Sequence, residues 1–152
     1  MSIGKRNIYI LVSPIIGIMV ILFDRFNLPE DIFDIIFATK QQQMVAKILI
    51  RELQKNKGEI DKTTMSAIAT KLHDGEFVTT LDEEPYKGKK VKIKYNKRQF
   101  YDRILTPMKS MGLIDYDLYK KTYKISDKFN KEMLRIGLKW LKEIRAADIP
   151  AQ

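Results

Sequence analysis

Apolar residues follow three patterns along the chain: an unbroken run, then helical spacing, then strand and helix spacing in alternation. From Asn7 to Phe23, "NIYILVSPIIGIMVILF" holds no charged residue. In "QQQMVAKILIRELQKNKG" a first helix is marked by the stripe Met44, Val45, Ile48, Leu49 and Leu53, and Lys55, Lys57 and Gly58 close it. "DKTTMSAIATKLHDG" predicts a short second helix after a tight turn, with Thr63 or Thr64 as N-cap, Met65, Ile68, Ala69 and Leu72 as its apolar face, and Gly75 as its stop. Between Asp74 and Asn96 the period falls to two. Val91, Ile93 and Tyr95 alternate with Lys90, Lys92 and Lys94, and "EPYKG" supplies turn chemistry, so a β-hairpin is expected.

A third helix is predicted over 97–111. Asn96 and Gln99 form a capping-box pattern, and Phe100, Ile104, Met108 and Met111 share one narrow arc at about 100° per residue, which predicts the core side. The opposite arc carries Arg98, Gln99, Asp102, Thr106 and Lys109, with Arg103 on its flank. Pro107 should kink the last turn. Gly112 then stops the helix, and two short strands, Leu113–Tyr116 and Thr122–Ile125, join through a turn at Asp117–Lys121. Ser126 and Asp127 open a long final helix, 127–146. Phe129, Met133, Ile136, Trp140 and Ile144 form its main stripe, while Leu134, Leu138 and Leu141 carry the apolar surface well round the side. The main stripe suits packing on its own domain, and the extra leucines call for a second partner, such as another chain or the apolar head. The expected fold is α+β and mainly helical, with an inserted β-hairpin, a long C-terminal helix and an apolar N-terminal helix.

Two regions follow from this: an apolar segment, 1–40, and a body, 41–152. A spanning helix needs about 20 residues, with about 17 as the lower limit, so 7–23 is read as a membrane anchor, the competing reading being a buried core element. No small-x-small cleavage site precedes the charged "DRF", which disfavours a secretory signal. Lys5 and Arg6 would keep the N-terminus cytoplasmic, whereas Lys40 and Lys47 pull the other way, so orientation stays open. "LPEDIFDIIFATK" predicts an amphipathic helix over 29–38 that lies on a membrane or packs on the body.

Charge sharpens this division. Met1 to Lys40 holds four basic and four acidic residues, so the formal charge of +9 belongs wholly to the body. An acidic polymer or an anionic membrane surface is the implied partner. The chain has no cysteine and one histidine, which excludes disulfides, thiolate metal sites and any site with two imidazoles. That residue, His73, is expected as a solvated helix-end side chain. The triplet Asp82, Glu83 and Glu84 reads as a solvated loop rather than a metal site. No nucleophile elbow or phosphate-cradling loop is present, so neither an enzyme nor a cofactor is expected.

The order helix, short helix, helix ending in Leu105-x-x-Met108-x-x-x-Gly112-Leu113-Ile114, then a basic two-stranded hairpin, resembles the winged helix-turn-helix family of DNA-binding domains over about Gln42 to Ser126. Its texture is similar to archaeal transcription-regulator-like members, some of which are membrane-attached. The chain departs from the family in the 23 residues 74–96, which replace a short turn between the second and third helices. The resemblance implies a transcription regulator that binds double-stranded DNA through a recognition helix, 97–111, and a wing, 114–125. It implies base contacts from Arg98, Gln99 and Asp102, and phosphate contacts from Arg103, Lys109, Lys120, Lys121 and Lys124, with neutral phosphate contacts from Thr64 and Ser66. It also implies a homodimer through the C-terminal helix. The expected location is the cytoplasm, with the body held at the cytoplasmic membrane face if 7–23 is an anchor. The alternative is a winged-helix protein–protein module in a membrane-associated assembly.

Overall fold

The computed structural model describes residues 24–81 and 86–147. The anchor expected at 7–23 and the triplet Asp82, Glu83 and Glu84 lie outside the described residues. The chain divides into two compact units, Met1–Ala38 and Thr39–Gln152. Among the described residues no helix is long and apolar enough to cross a membrane.

In the first unit, α1 (Ile32–Ile36) is shorter than the helix expected over 29–38. Its start is a capping box: the Asp31 carboxylate accepts from the Asp34 N–H at 3.3 Å, and the Asp34 carboxylate accepts back from the Asp31 N–H at 3.4 Å. Phe37 has already left the helix, with extended backbone and its ring stacked on Phe33 at 6.2 Å.

The second unit runs α2 (Lys40–Lys55), β1 (Glu59–Asp61), α3 (Lys62–Asp74), β2 (Phe77–Thr80) and β3 (Lys90–Ile93). A composite helix, 97–110, follows: α4 (Lys97–Gln99), a π-helical segment (Phe100–Leu105) and α5 (Thr106–Ser110). Then come β4 (Ile114–Asp117), β5 (Thr122–Ile125) and α6 (Lys128–Ala146). The fold is α+β. One antiparallel sheet has the order β1-β5-β4, and β2 and β3 form a separate antiparallel pair. Val45, Leu49 and Leu53 of α2 meet Met65 and Leu72 of α3, Phe100, Ile104, Leu105 and Met108 of the composite helix and Ile114 of β4 in a fully buried core. Each such side chain contributes about 1.5–3 kcal/mol relative to exposure.

The structure corrects the sequence reading at four places. β1 was not expected: only Ile60 of its three residues points inward, too short a run to show a period. Because β1 leads straight into α3, the N-cap is Asp61 rather than Thr63 or Thr64, its carboxylate accepting from the Thr64 N–H at 2.6 Å. Third, the helix before Pro107 widens. The proline ring would clash with the Arg103 carbonyl in an α-turn, and the Thr106 N–H bonds instead to the Tyr101 carbonyl, five residues back. A π-turn holds about one residue more than an α-turn, which shifts the later phase by about 100°. Leu105, which the α-helical arc left unassigned, therefore turns into the core, and Met111, which that arc placed on the core side, turns out, 39% exposed.

The fourth correction concerns α6. Its main stripe was expected to pack on the body, yet beyond Phe129 no residue of the helix is buried. Among the described residues the helix is tied to the body at its start, where the Phe129 N–H donates to the Gly112 carbonyl at 3.2 Å and the Ser126 N–H to the Leu113 carbonyl at 2.9 Å. Gly112 makes this approach feasible. Its φ is +82°, and a Cβ there would sit 3.0 Å from the Phe129 nitrogen.

Candidate nucleic-acid interface

The insertion 74–96 decides how α3 meets the composite helix. Gly75 caps α3 in the left-handed region at φ +71°, and the chain departs into β2. It returns to the same place: the Tyr95 N–H donates to the Leu72 carbonyl at 2.8 Å, and the Lys97 N–H to His73 Nδ1 at 3.1 Å. The Lys97 ammonium reaches Thr70 Oγ1 at 2.9 Å. The hairpin is thus a closed excursion, and α3 and the composite helix abut as if a short turn joined them. His73 is exposed as expected, but its ring accepts one of the N-terminal N–H groups of the composite helix. Asn96 Oδ1 accepts another, from Gln99 at 3.0 Å. The hairpin itself is held on α2, where Arg51 donates to the Thr80 carbonyl at 2.7 Å and to Thr79 Oγ1 at 3.3 Å.

The outward side of the composite helix presents Arg98, Asp102, Arg103, Thr106 and Lys109, all exposed, with Gln99 half-buried. Arg98 and Asp102 pair across one turn at 3.7 Å, with side chains 91% and 65% exposed. Such an exposed pair contributes under about 1 kcal/mol, so a ligand can take either group cheaply. Lys109 lies 6.0 Å above the ring of Tyr123. That tyrosine stacks obliquely on Tyr116 at 4.6 Å, and burial, with Tyr101 and Tyr116 close by, raises its hydroxyl above the ordinary tyrosine value. Burial likewise raises Tyr95, with the Arg103 charge pulling the other way. Both rings stay neutral around pH 7.

The β4–β5 hairpin carries its own turn. The Asp117 carboxylate accepts from the Tyr119 N–H at 2.9 Å and the Lys120 N–H at 3.0 Å, and these bonds, that from Lys120 foremost, hold its carboxyl below the ordinary range. Lys121 takes φ +55°, and its carbonyl accepts from the Lys62 N–H at 2.9 Å, which ties the turn to the start of α3. The tip offers Lys120 and Lys121 together with Leu118 and a 98% exposed Tyr119. Lys124 is placed differently. Strand alternation puts Tyr123 inward and Lys124 on the outer face, in register with Glu59 on β1 and Asp115 on β4. Compared with protein-family models, curated proteins and solved structures, the chain matches none.

The structure therefore brings Arg98, Gln99, Asp102, Arg103 and Lys109 onto one helix and Lys120 and Lys121 onto one turn, while Lys124, flanked by Glu59 and Asp115, lines one depression with Leu118, Tyr119 and Lys120. Thr64 and Ser66 are half-buried in the first turns of α3, and Ser66 lines a shallow depression with Lys62, Thr63, Ala67, Thr70 and Lys71. Lys90, Lys92 and Lys94 are exposed on the inserted hairpin or just past it, and Lys92 faces Glu76 at 3.9 Å. Tyr119, Lys62 and Lys71 are exposed beside the expected residues and were not singled out in the sequence. An aromatic inside the turn "DLYKK" was the available signal for Tyr119. For Lys62 and Lys71 the signal was the face of small residues Thr63, Ser66, Ala67 and Thr70 at helical spacing, which the two lysines flank. Among the described residues no group of His, Asp or Glu is arranged to hold a metal ion.

Proposed function

We propose that the unit Thr39–Gln152 is a winged helix-turn-helix that binds duplex DNA, and that the protein regulates transcription. The observation that carries the reading is the closed junction at Leu72, His73, Tyr95 and Lys97. It leaves α3 and the composite helix as consecutive helices despite the 22 residues, 75–96, between them. The strand order β1-β5-β4 adds support, because it sets a lysine-tipped β-hairpin directly after that helix. The composite helix then enters the major groove. Arg98 meets guanine, Gln99 adenine and Asp102 a cytosine amino group, once the Arg98–Asp102 pair opens. Arg103, Lys109, Lys120 and Lys121 meet phosphates, and Thr64 and Ser66 add neutral contacts. Lys124 contributes least, since Glu59 and Asp115 flank it. A DNA reader works where DNA is, so this unit faces the cytoplasm, anchored or not.

The test is binding of the full-length protein to duplex DNA across salt. The four cationic phosphate contacts should give a slope of about −4 of log affinity against log salt. Arg98→Ala should cost about 1–3 kcal/mol and relax the sequence preference, whereas Lys121→Ala should weaken all duplexes alike. No binding to pooled genomic DNA at low salt would overturn the proposal. The second reading, a protein–protein module, is favoured by one observation: the open apolar side of α6.

A further inference from the structure

Among the described residues α6 carries a mostly open apolar side, on which Leu141 and Ile144 are half-buried. Past Phe129 its 17 remaining residues extend about 25 Å with no buried side chain. Met133, Leu134, Ile136, Leu138 and Trp140 are 43–66% exposed. At about 100° per residue the apolar positions from Ile136 round to Leu138 cover an arc of about 200°, in which only Asn130 and Arg145 are polar. Lys128, Lys131, Glu132, Arg135, Lys139, Lys142 and Glu143 crowd the other side. The helix thus holds six basic residues against two acidic ones, and Glu132 is already paired with Arg135 at 2.8 Å.

We propose that α6 lies in the surface of an anionic lipid membrane, its apolar side among the acyl chains and its lysines and arginines at the headgroups. Three features select this occupant over a second copy of the chain. A two-helix seam is a narrow stripe, and pairing along Met133, Ile136 and Trp140 would leave Leu134 and Leu138 in water on the adjoining side. Pairing two copies would also bring together two helices that are each strongly cationic. Finally, Leu134 and Leu138 form the floor of a shallow groove rimmed by Lys131, Arg135, Lys139 and Lys142. Apolar floor and cationic rim is the arrangement in which long basic side chains reach headgroups while their stems cover hydrocarbon. Duplex DNA could meet the basic side but would leave the apolar arc bare.

Trp140 is the only tryptophan in the chain, so its fluorescence reports this helix alone, whatever the rest of the protein does. The full-length protein is mixed with vesicles of phosphatidylcholine, with and without phosphatidylserine. Trp140 emission should move to the blue and lose access to acrylamide with the phosphatidylserine vesicles only, and raised salt should reverse most of the change. The variant Leu134→Asp/Leu138→Asp should abolish the shift while leaving thermal unfolding unchanged, because both positions are exposed. An unchanged Trp140 spectrum on phosphatidylserine vesicles overturns the proposal, as does an equal shift on phosphatidylcholine alone. A shift that grows with protein concentration without lipid, alongside dimer formation in sedimentation, also overturns it and names a second copy as the occupant. A shift produced by duplex DNA alone overturns it in favour of nucleic acid. DNA affinity is read separately, so failure here leaves the DNA proposal standing.

Discussion

The composite helix 97–110 and α6 are both amphipathic, both basic and close in sequence, yet only one of them has its apolar side covered. Phe100, Ile104, Leu105 and Met108 are at most 1% exposed, while Ile136, Leu138 and Trp140 are 53–66% exposed. Both stripes have the same physical origin, the 3.6-residue period, and that period says which side of a helix avoids water. It does not say what removes the water. For the composite helix the answer lies within the unit, because the wing folds back and delivers Ile114 beneath it. For α6 the described residues supply burial only at Phe129, with Leu141 and Ile144 half-buried further along.

The largest effect that would break this comparison is in the two cores themselves. Phe100→Ala should destabilise the protein by about 3–5 kcal/mol through lost burial and a cavity. Trp140→Ala, removing a larger ring, should change lipid-free stability by no more than about 0.5 kcal/mol. Denaturant unfolding followed by circular dichroism measures both. If Trp140→Ala costs as much as Phe100→Ala, α6 is packed and the contrast fails.

That contrast also marks the limits of the sequence. The helices α2 and α3, both hairpins and the Gly75 and Gly112 stops were legible, because each is written in local periodicity or turn chemistry. β1 was not, since its three residues exist as a strand only through pairing with β5, more than 60 residues away. The π-helical segment was half legible: Pro107 announced a disturbance, but whether the helix would bend or widen depends on which side chains the core accepts. At the candidate interface the outward set on the composite helix could be read from spacing. The flanking of Lys124 by two carboxylates could not, because it follows from cross-strand register with Glu59 and Asp115.

A smaller effect sharpens the comparison at the joint between the two regions. Gly112→Ala forces an alanine to φ +82° and brings its Cβ within 3.0 Å of Lys128 Cβ and the Phe129 nitrogen. The cost should exceed about 1 kcal/mol. Hydrogen exchange should then show faster opening at the start of α6 while α3 is little affected. Smaller again is Asn96→Ala, which leaves the Gln99 N–H without its side-chain acceptor and should cost about 1 kcal/mol. Its influence should be confined to the composite helix and its junction with His73, and a matching loss of protection in α6 would show that the two helices are coupled after all.

The smallest expected effect is on the acid side. Asp117 in the wing turn and Asp61 at the start of α3 both have carboxyls held below the ordinary aspartate value of about 3.9, Asp117 chiefly by the Lys120 N–H and Asp61 by the Thr64 N–H. A depressed folded-state pKa means that the folded protein binds the proton less readily than the unfolded one. The stability these groups contribute is therefore fully present above the ordinary value and is lost as pH falls through the depressed one. No comparable carboxylate cap operates at α6, where Asp127 makes no side-chain cap bond and the Ser126 hydroxyl accepts from Lys128 instead. On acidification below about pH 3.9 the Tyr119, Lys120 and Thr64 amides should lose exchange protection while the first turn of α6 keeps its own. Asp117→Asn retains an acceptor that does not titrate, so it should flatten the acid response of the wing without opening the turn at neutral pH. An acid response of the Lys120 amide that persists unchanged in Asp117→Asn would show that some other group governs the wing.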